Sequence, residues 1–114
     1  MKIDKIVVHC SDSPHRGDTA ENVHLWHLER GWSGIGYHYV IQEDGRLEVG
    51  RPHYWQGSHV RGHNKNSLGV MLFGISEFTP VQFETLLELV RYMKHLYPNA
   101  EVLGHSDLDQ HKSC

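Results

Sequence analysis

His9 and His105 each close a short apolar run, "KIVVH" and "EVLGH", and Cys114 follows nine residues after the second. Imidazole nitrogen and thiolate sulfur are ligands that zinc takes in a tetrahedral site. Three of them leave a fourth position for water, the arrangement of a catalytic zinc. Nine residues are ample for a loop to turn back and bring Cys114 to a metal held by two histidines. The spacing is not a compact C-x₂-C motif, however, and a chain with 11 histidines places some at run ends by chance. The same residues also read as hydrogen-bonded histidines at a sheet edge beside a fraying terminus.

Other side chains carry chemistry of their own. Tyr37, in "GYHYV", is a phenol on an apolar strand, either packed in the core or set beside a reacting group. Lys112 is a cation two residues before Cys114, solvated or drawn to the site by its neighbour. In "HVRGHNKN", His59, Arg61 and Asn64 form a polar cluster. An arginine there suits the carboxylates of a peptide; an ordinary polar loop has the same composition. Trp26, Trp32 and Trp55 can stack on sugars, but core packing is the simpler expectation. There is no H-E-x-x-H and no evident glutamate base.

The elements that must position these residues follow from periodicity. "KIVVHC" and "SLGVMLFG" are apolar, partly β-branched runs of buried-strand length. Between them, "GYHYVIQEDGRLEVGR" reads as a hairpin with a two-residue turn at Asp44-Gly45. Strand alternation puts Tyr37, Tyr39 and Ile41 on one face, His38 and Val40 on the other. A helix is predicted from a cap at Asp18, with Glu21 completing a capping box, to Gly31. A second starts at the Thr79 cap, with Pro80 at N1, Gln82 closing the box and Phe78 stapled to Phe83. Its apolar stripe is Phe83, Leu86, Leu87, Val90, Met93 and Tyr97, and Pro98 ends it. "EVLG" is a last strand.

The order β-α-β-β-β-α-β defines an α/β fold, a single mixed sheet with helices packed on it. If the first and last strands are parallel neighbours, His9 and His105 emerge at one sheet edge, where open α/β sheets gather ligands. The length of 114 residues is one domain, spanning 1–114. A net charge of −3 argues against a nucleic-acid footprint. No apolar run reaches the ~20 residues of a membrane span, and "MKIDKIVVHC" lacks a secretory h-region. A cytoplasmic protein is expected, and with it free thiols: Cys10 as a small core residue and Cys114 as the accessible one.

"IVVHCSDSP", "ERGWSGIGYHYVIQEDGRLEVGRP", "GSHVRGHNKNSLGVMLFG", "FTPVQFETL" and "GHSDLDQHKSC", in this order, resemble the N-acetylmuramoyl-L-alanine amidases. The likeness is to the small zinc amidases of bacteriophages, relatives of the peptidoglycan recognition proteins. It implies that Zn²⁺ is held by His9, His105 and Cys114 and that Tyr37 and Lys112 are catalytic. The substrate it implies is peptidoglycan, cut between N-acetylmuramic acid and L-alanine. It implies an enzyme held in the host cytoplasm before lysis. It names no protein partner.

Two departures stand out: only "ISE" separates "GVMLFG" from "FTP", where phage relatives carry a longer loop, and the chain stops at Cys114, where relatives continue. Two readings of that ending stand side by side: a chain trimmed just after the ligand, or a natural chain that lacks the segment its relatives carry there. The rival functions are a non-catalytic peptidoglycan-binding module, which the presence of Cys114 disfavours, and a His-Asn nuclease, which the acidic charge disfavours.

Overall fold

Two short runs of apolar residues form the middle of the sheet because both of their faces are covered. β1 (Lys5–Cys10) and β4 (Ser67–Leu72) pair in parallel, from Lys5 opposite Ser67 to Cys10 opposite Leu72. Every residue of β4 is buried, which is why its sequence is nearly continuous in apolar side chains rather than alternating. The computed structural model describes residues 2–11, 36–60, 62–74 and 78–104. The helix predicted from Asp18 to Gly31 lies outside them.

The remaining strands are β2 (Tyr39–Ile41), β3 (Leu47–Val49) and β5 (Glu101–Gly104). The five-stranded sheet has the order β3-β2-β4-β1-β5. β5 runs parallel to β1, with Gly104 opposite Val8, and β2 runs parallel to β4. Only the β2–β3 pair is antiparallel among the described strands. The expected mixed sheet is present, and the first and last strands are parallel neighbours.

The hairpin turn differs from the two-residue expectation. Gly45 N–H donates to Gln42 O, and Gln42 N–H donates to Arg46 O, both at 2.9 Å. Three residues, Glu43–Gly45, therefore span the strands, with Gly45 at φ +86°. This is a turn followed by a left-handed residue, the next commonest way to join two strands.

The helix α1 (Pro80–Leu96) begins as its sequence demands. Thr79 Oγ1 accepts from Gln82 N–H at 3.2 Å, and Gln82 Oε1 accepts from Thr79 N–H at 2.9 Å. Such a cap is worth about 1 kcal/mol. The rings of Phe78 and Phe83 meet edge-on at 6.2 Å. Thr79 Oγ1 donates to Glu43 O at 2.7 Å and Thr85 Oγ1 to Gly45 O at 2.6 Å, tying the helix start to the hairpin turn.

The buried face of α1 keeps most of the predicted stripe: Met93 is in the core and Leu86, Val90 and Tyr97 pack against it. Gln82, Leu89 and Met93 are buried, while Phe83 and Leu87 are exposed. Gln82 takes an inner position because its amide donates to Phe73 O at 2.9 Å, so its burial costs little.

Two clusters divide the sheet. Ile6, Tyr39, Ile41, Leu68, Val70 and Leu72 pack with Leu89 and Met93 on the α1 side. Val40, Met71 and Phe73 form a smaller cluster on the opposite face. His9 belongs to this second face by the alternation along β1.

Candidate active site on the sheet face opposite the helix

The site starts at His9, next to the last residue of β1 and 3 % exposed. Its Nε2 lies 2.9 Å from Nδ1 of His59. The two rings meet edge-on with centroids 5.0 Å apart. Tyr37 completes the group, its ring centroid 5.2 Å from that of His9. Tyr37 also packs against the Val40, Met71 and Phe73 cluster. It therefore stands on the face of Val40, not with Tyr39 and Ile41 as alternation predicts. Tyr37 precedes the first paired residue of β2, so the strand's period of two does not bind it.

His59 is held by its loop. Asn64 Oδ1 accepts the backbone N–H groups of His59 at 2.8 Å and Val60 at 2.9 Å. The ring lies across Gly69 of β4: a Cβ built there would stand 2.6 Å from His59 Cγ. A Cβ on Gly57 would stand 2.5 Å from His59 Cδ2. Absent side chains on two strand and loop positions thus create the slot in which an imidazole reaches His9. Ser67 Oγ lies 3.1 Å from His59 Nε2 and donates to His63 O at 2.8 Å.

A further buried histidine stands behind these. His38 is wholly buried, and its Nδ1 accepts from Gly69 N–H at 3.1 Å. Its Nε2–H then donates to Trp55 O at 2.8 Å. Burial lowers the pKa of this imidazole below the ordinary histidine value, outweighing the Trp55 hydrogen bond. The ring of His53 lies 6.4 Å from that of His38, its Nε2 2.5 Å from Tyr39 Oη and its Nδ1 2.9 Å from Tyr97 Oη. Burial lowers its pKa as well. Sequence reasoning singled out neither His38 nor His53 as a network member. Their partners are set by tertiary contact, and no local spacing marks them.

The other expected residues divide as follows. Arg61, His105, Lys112 and Cys114 lie outside the described residues. β5 ends at Gly104, hydrogen-bonded beside β1, and His105 is the next residue of the sequence. Trp55, expected in the core, is 58 % exposed, next to exposed Tyr54. Cys10 is buried as expected but is disulfide-bonded, against the expectation of a free thiol. The only other cysteine in the sequence is Cys114. Among the described residues no group of three or more histidine, cysteine or acidic side chains could hold a metal. Of the expected ligand set, His9 is the member described, and its chemistry fits a metal: it is a buried imidazole whose Nε2 is hydrogen-bonded to His59, as ligating histidines are to a second group.

The family model described as N-acetylmuramoyl-L-alanine amidase matches residues 1–114, and the chain belongs to that family. It is 37 % identical over 119 residues to the endolysin of Klebsiella phage KP32, covering 96 % of this chain and 78 % of that protein. It is 36 % identical over 120 residues to the endolysin of Escherichia phage T7, covering 97 % and 79 %. Among solved structures it is similar to the N-acetylmuramoyl-L-alanine amidase LysC from Clostridium intestinale URNW. There the TM-score is 0.88 at 34 % identity, over 96 % of this chain and 74 % of that one.

Proposed function

We propose that this chain is a peptidoglycan-degrading amidase that hydrolyses the amide joining N-acetylmuramic acid to L-alanine, with zinc held by His9, His105 and Cys114. The observation that carries the reading is the pairing of His9 with Tyr37 at a strand end, in a chain whose family is that of the amidases. The parallel β1–β5 register supports His105 as the second ligand, since β5 ends opposite Val8, one residue before His9.

When bound, zinc supplies a Lewis acid for the scissile carbonyl and lowers the pKa of a bound water toward ~7. The chain's own groups do the rest. Tyr37, half-buried beside His9, donates its hydroxyl to the carbonyl oxygen as charge develops there. Lys112, two residues before Cys114, adds a cation for the same oxygen. Arg61, in the sequence between His59 and Asn64, is the cation that suits the carboxylates of the acidic peptide stem, while His59 itself is buried. Exposed Tyr54 and Trp55 stand on the connection between β3 and β4, where aromatic faces suit sugar rings. The reading extends to location: the enzyme waits in the host cytoplasm until a separate pore admits it to the wall. No helix among the described residues is long and apolar enough to cross a membrane itself.

The test is hydrolysis of purified peptidoglycan. Amide cleavage frees the amino group of L-alanine and leaves the count of reducing sugar ends unchanged. New amino termini that vanish on chelation and return with added zinc are expected. New reducing ends, or cleavage indifferent to a chelator, would refute the reading.

A further inference from the structure

We infer that His59 and Ser67 form a hydrogen-bonded relay that sets the tautomer of His9 and presents its Nδ1 to the metal, making His59 a positioning residue of the site. The inference deepens the zinc reading above and rests on it.

The direction of the relay follows from counting protons. Ser67 Oγ has one hydrogen and lies 2.8 Å from His63 O and 3.1 Å from Asn64 O. Asn64 O already accepts Ser67 N–H. The hydroxyl therefore points at His63 O, its shortest contact, and has only lone pairs for His59. His59 Nε2, at 3.1 Å, must donate to it. In a neutral ring that leaves Nδ1 without a proton. His59 Nδ1 then accepts, at 2.9 Å, from His9 Nε2–H. A neutral His9 that carries its proton on Nε2 keeps its lone pair on Nδ1, the form a metal ligand needs.

Geometry holds the relay in place. Both rings are buried, His9 at 3 % and His59 at 7 % exposure, and Ser67 at 2 %. Asn64 fixes the His59 backbone, and Gly57 and Gly69 flank the ring too closely to admit a Cβ. Burial to this degree leaves His59 no broad face for substrate. Its two nitrogens are spent on His9 and Ser67. A metal-ligating histidine that donates its second N–H to a fixed acceptor has its ring orientation set before the metal arrives, and loss of such partners typically weakens binding ~10–100-fold.

The test uses the full chain in two measurements. In metal-free protein with ¹⁵N-labelled histidine, long-range ¹H–¹⁵N spectra are expected to show His9 protonated on Nε2 and bare on Nδ1. The opposite tautomer overturns the relay, and this readout needs no zinc. Zinc affinity is then measured by competition with a chelating dye. His59→Phe keeps the ring and removes both nitrogens, and is expected to bind zinc about 10–100-fold more weakly. His59→Asn, whose Oδ1 falls near the position of Nδ1, is expected to recover part of the loss. Ser67→Ala removes the far acceptor and should weaken binding in the same direction. Circular dichroism establishes that each variant is folded. Folded His59→Phe or Ser67→Ala with parental affinity overturns the inference. A parent chain that binds no zinc would sink the zinc reading instead, with the tautomer still reporting on the relay.

Discussion

Replacing Gly69 with alanine adds one methyl group where the structure has no room for it. Gly69 is not among the positive-φ glycines, so alanine fits its backbone. At such a site the substitution ordinarily stabilises by about 0.4–1 kcal/mol, by restricting the unfolded chain. Here the new Cβ would lie 2.6 Å from His59 Cγ and 2.8 Å from Cδ2 and Nδ1. Relief requires the ring to move by about 1 Å from ordinary contact distance. Gly57 closes off one direction, since its own Cβ position is 2.5 Å from His59 Cδ2. Overpacking of this kind costs about 1–3 kcal/mol, and a buried hydrogen bond broken by the displaced ring adds about 1–3 kcal/mol. Set against the backbone gain, the net loss is about 1–5 kcal/mol. For a domain near 100 residues, at about 4 °C per kcal/mol, this corresponds to a fall in Tm of about 4–20 °C. Thermal melting of parent and Gly69→Ala without metal measures it directly. An unchanged or raised Tm would show that the slot has slack and that His59 is not fixed by it.

Tyr37→Phe removes one hydroxyl beside His9 and should lower kcat by about 10²–10³ while zinc affinity stays constant, read by amino-terminus release and dye competition. An unchanged rate would reduce Tyr37 to packing. Because Cys10 is disulfide-bonded and Cys114 is the only other cysteine, zinc stoichiometry should rise on adding a thiol reductant, and Cys10→Ser should bind zinc without it. Equal metal content in all three cases would count against Cys114 as a ligand. His38 and His53 have folded-state pKa values lowered by burial, below the ordinary ~6.5 of the unfolded chain. Below that pH the unfolded state binds more protons, so stability is lost as pH falls through ~6.5 toward the lowered folded values. Melting temperatures should therefore drop between pH 7.5 and 5.5, and His38→Gln, a neutral amide in that slot, should flatten part of the slope.

How much of this was legible depended on the range of each interaction. The runs at 5–10 and 67–72 and the cap at Thr79 carry their signal within a few residues, and all appear where expected. The neighbouring of β1 and β5 was legible only as a condition, because sequence periodicity does not order strands. The helix stripe held at Leu86, Val90, Met93 and Tyr97 but missed buried Gln82: a polar residue is buried when distant carbonyls satisfy it, and Phe73 O is not visible from the helix sequence. Tyr37 escaped alternation because it lies just outside the paired stretch. The cluster "HVRGHNKN" announced polarity but not its destination. His59 meets His9, 50 residues away, through a gap left by Gly69. A glycine in a strand is the one local hint of such a close approach.

The strand order also dictates when the site can exist during synthesis. β1 leaves the ribosome before its neighbours β4 and β5, so its backbone groups wait for residues 67–72 and then 101–104. Parallel pairing across such separations carries a loop-closure cost that only the finished sheet repays, which slows folding. Until residue 104 has been added, His9 rides on a strand with one side unpaired. A nascent chain of this kind carries the ingredients of a wall-cutting enzyme in a form that cannot yet assemble, and its β1 edge is a pairing hazard for as long as translation lasts.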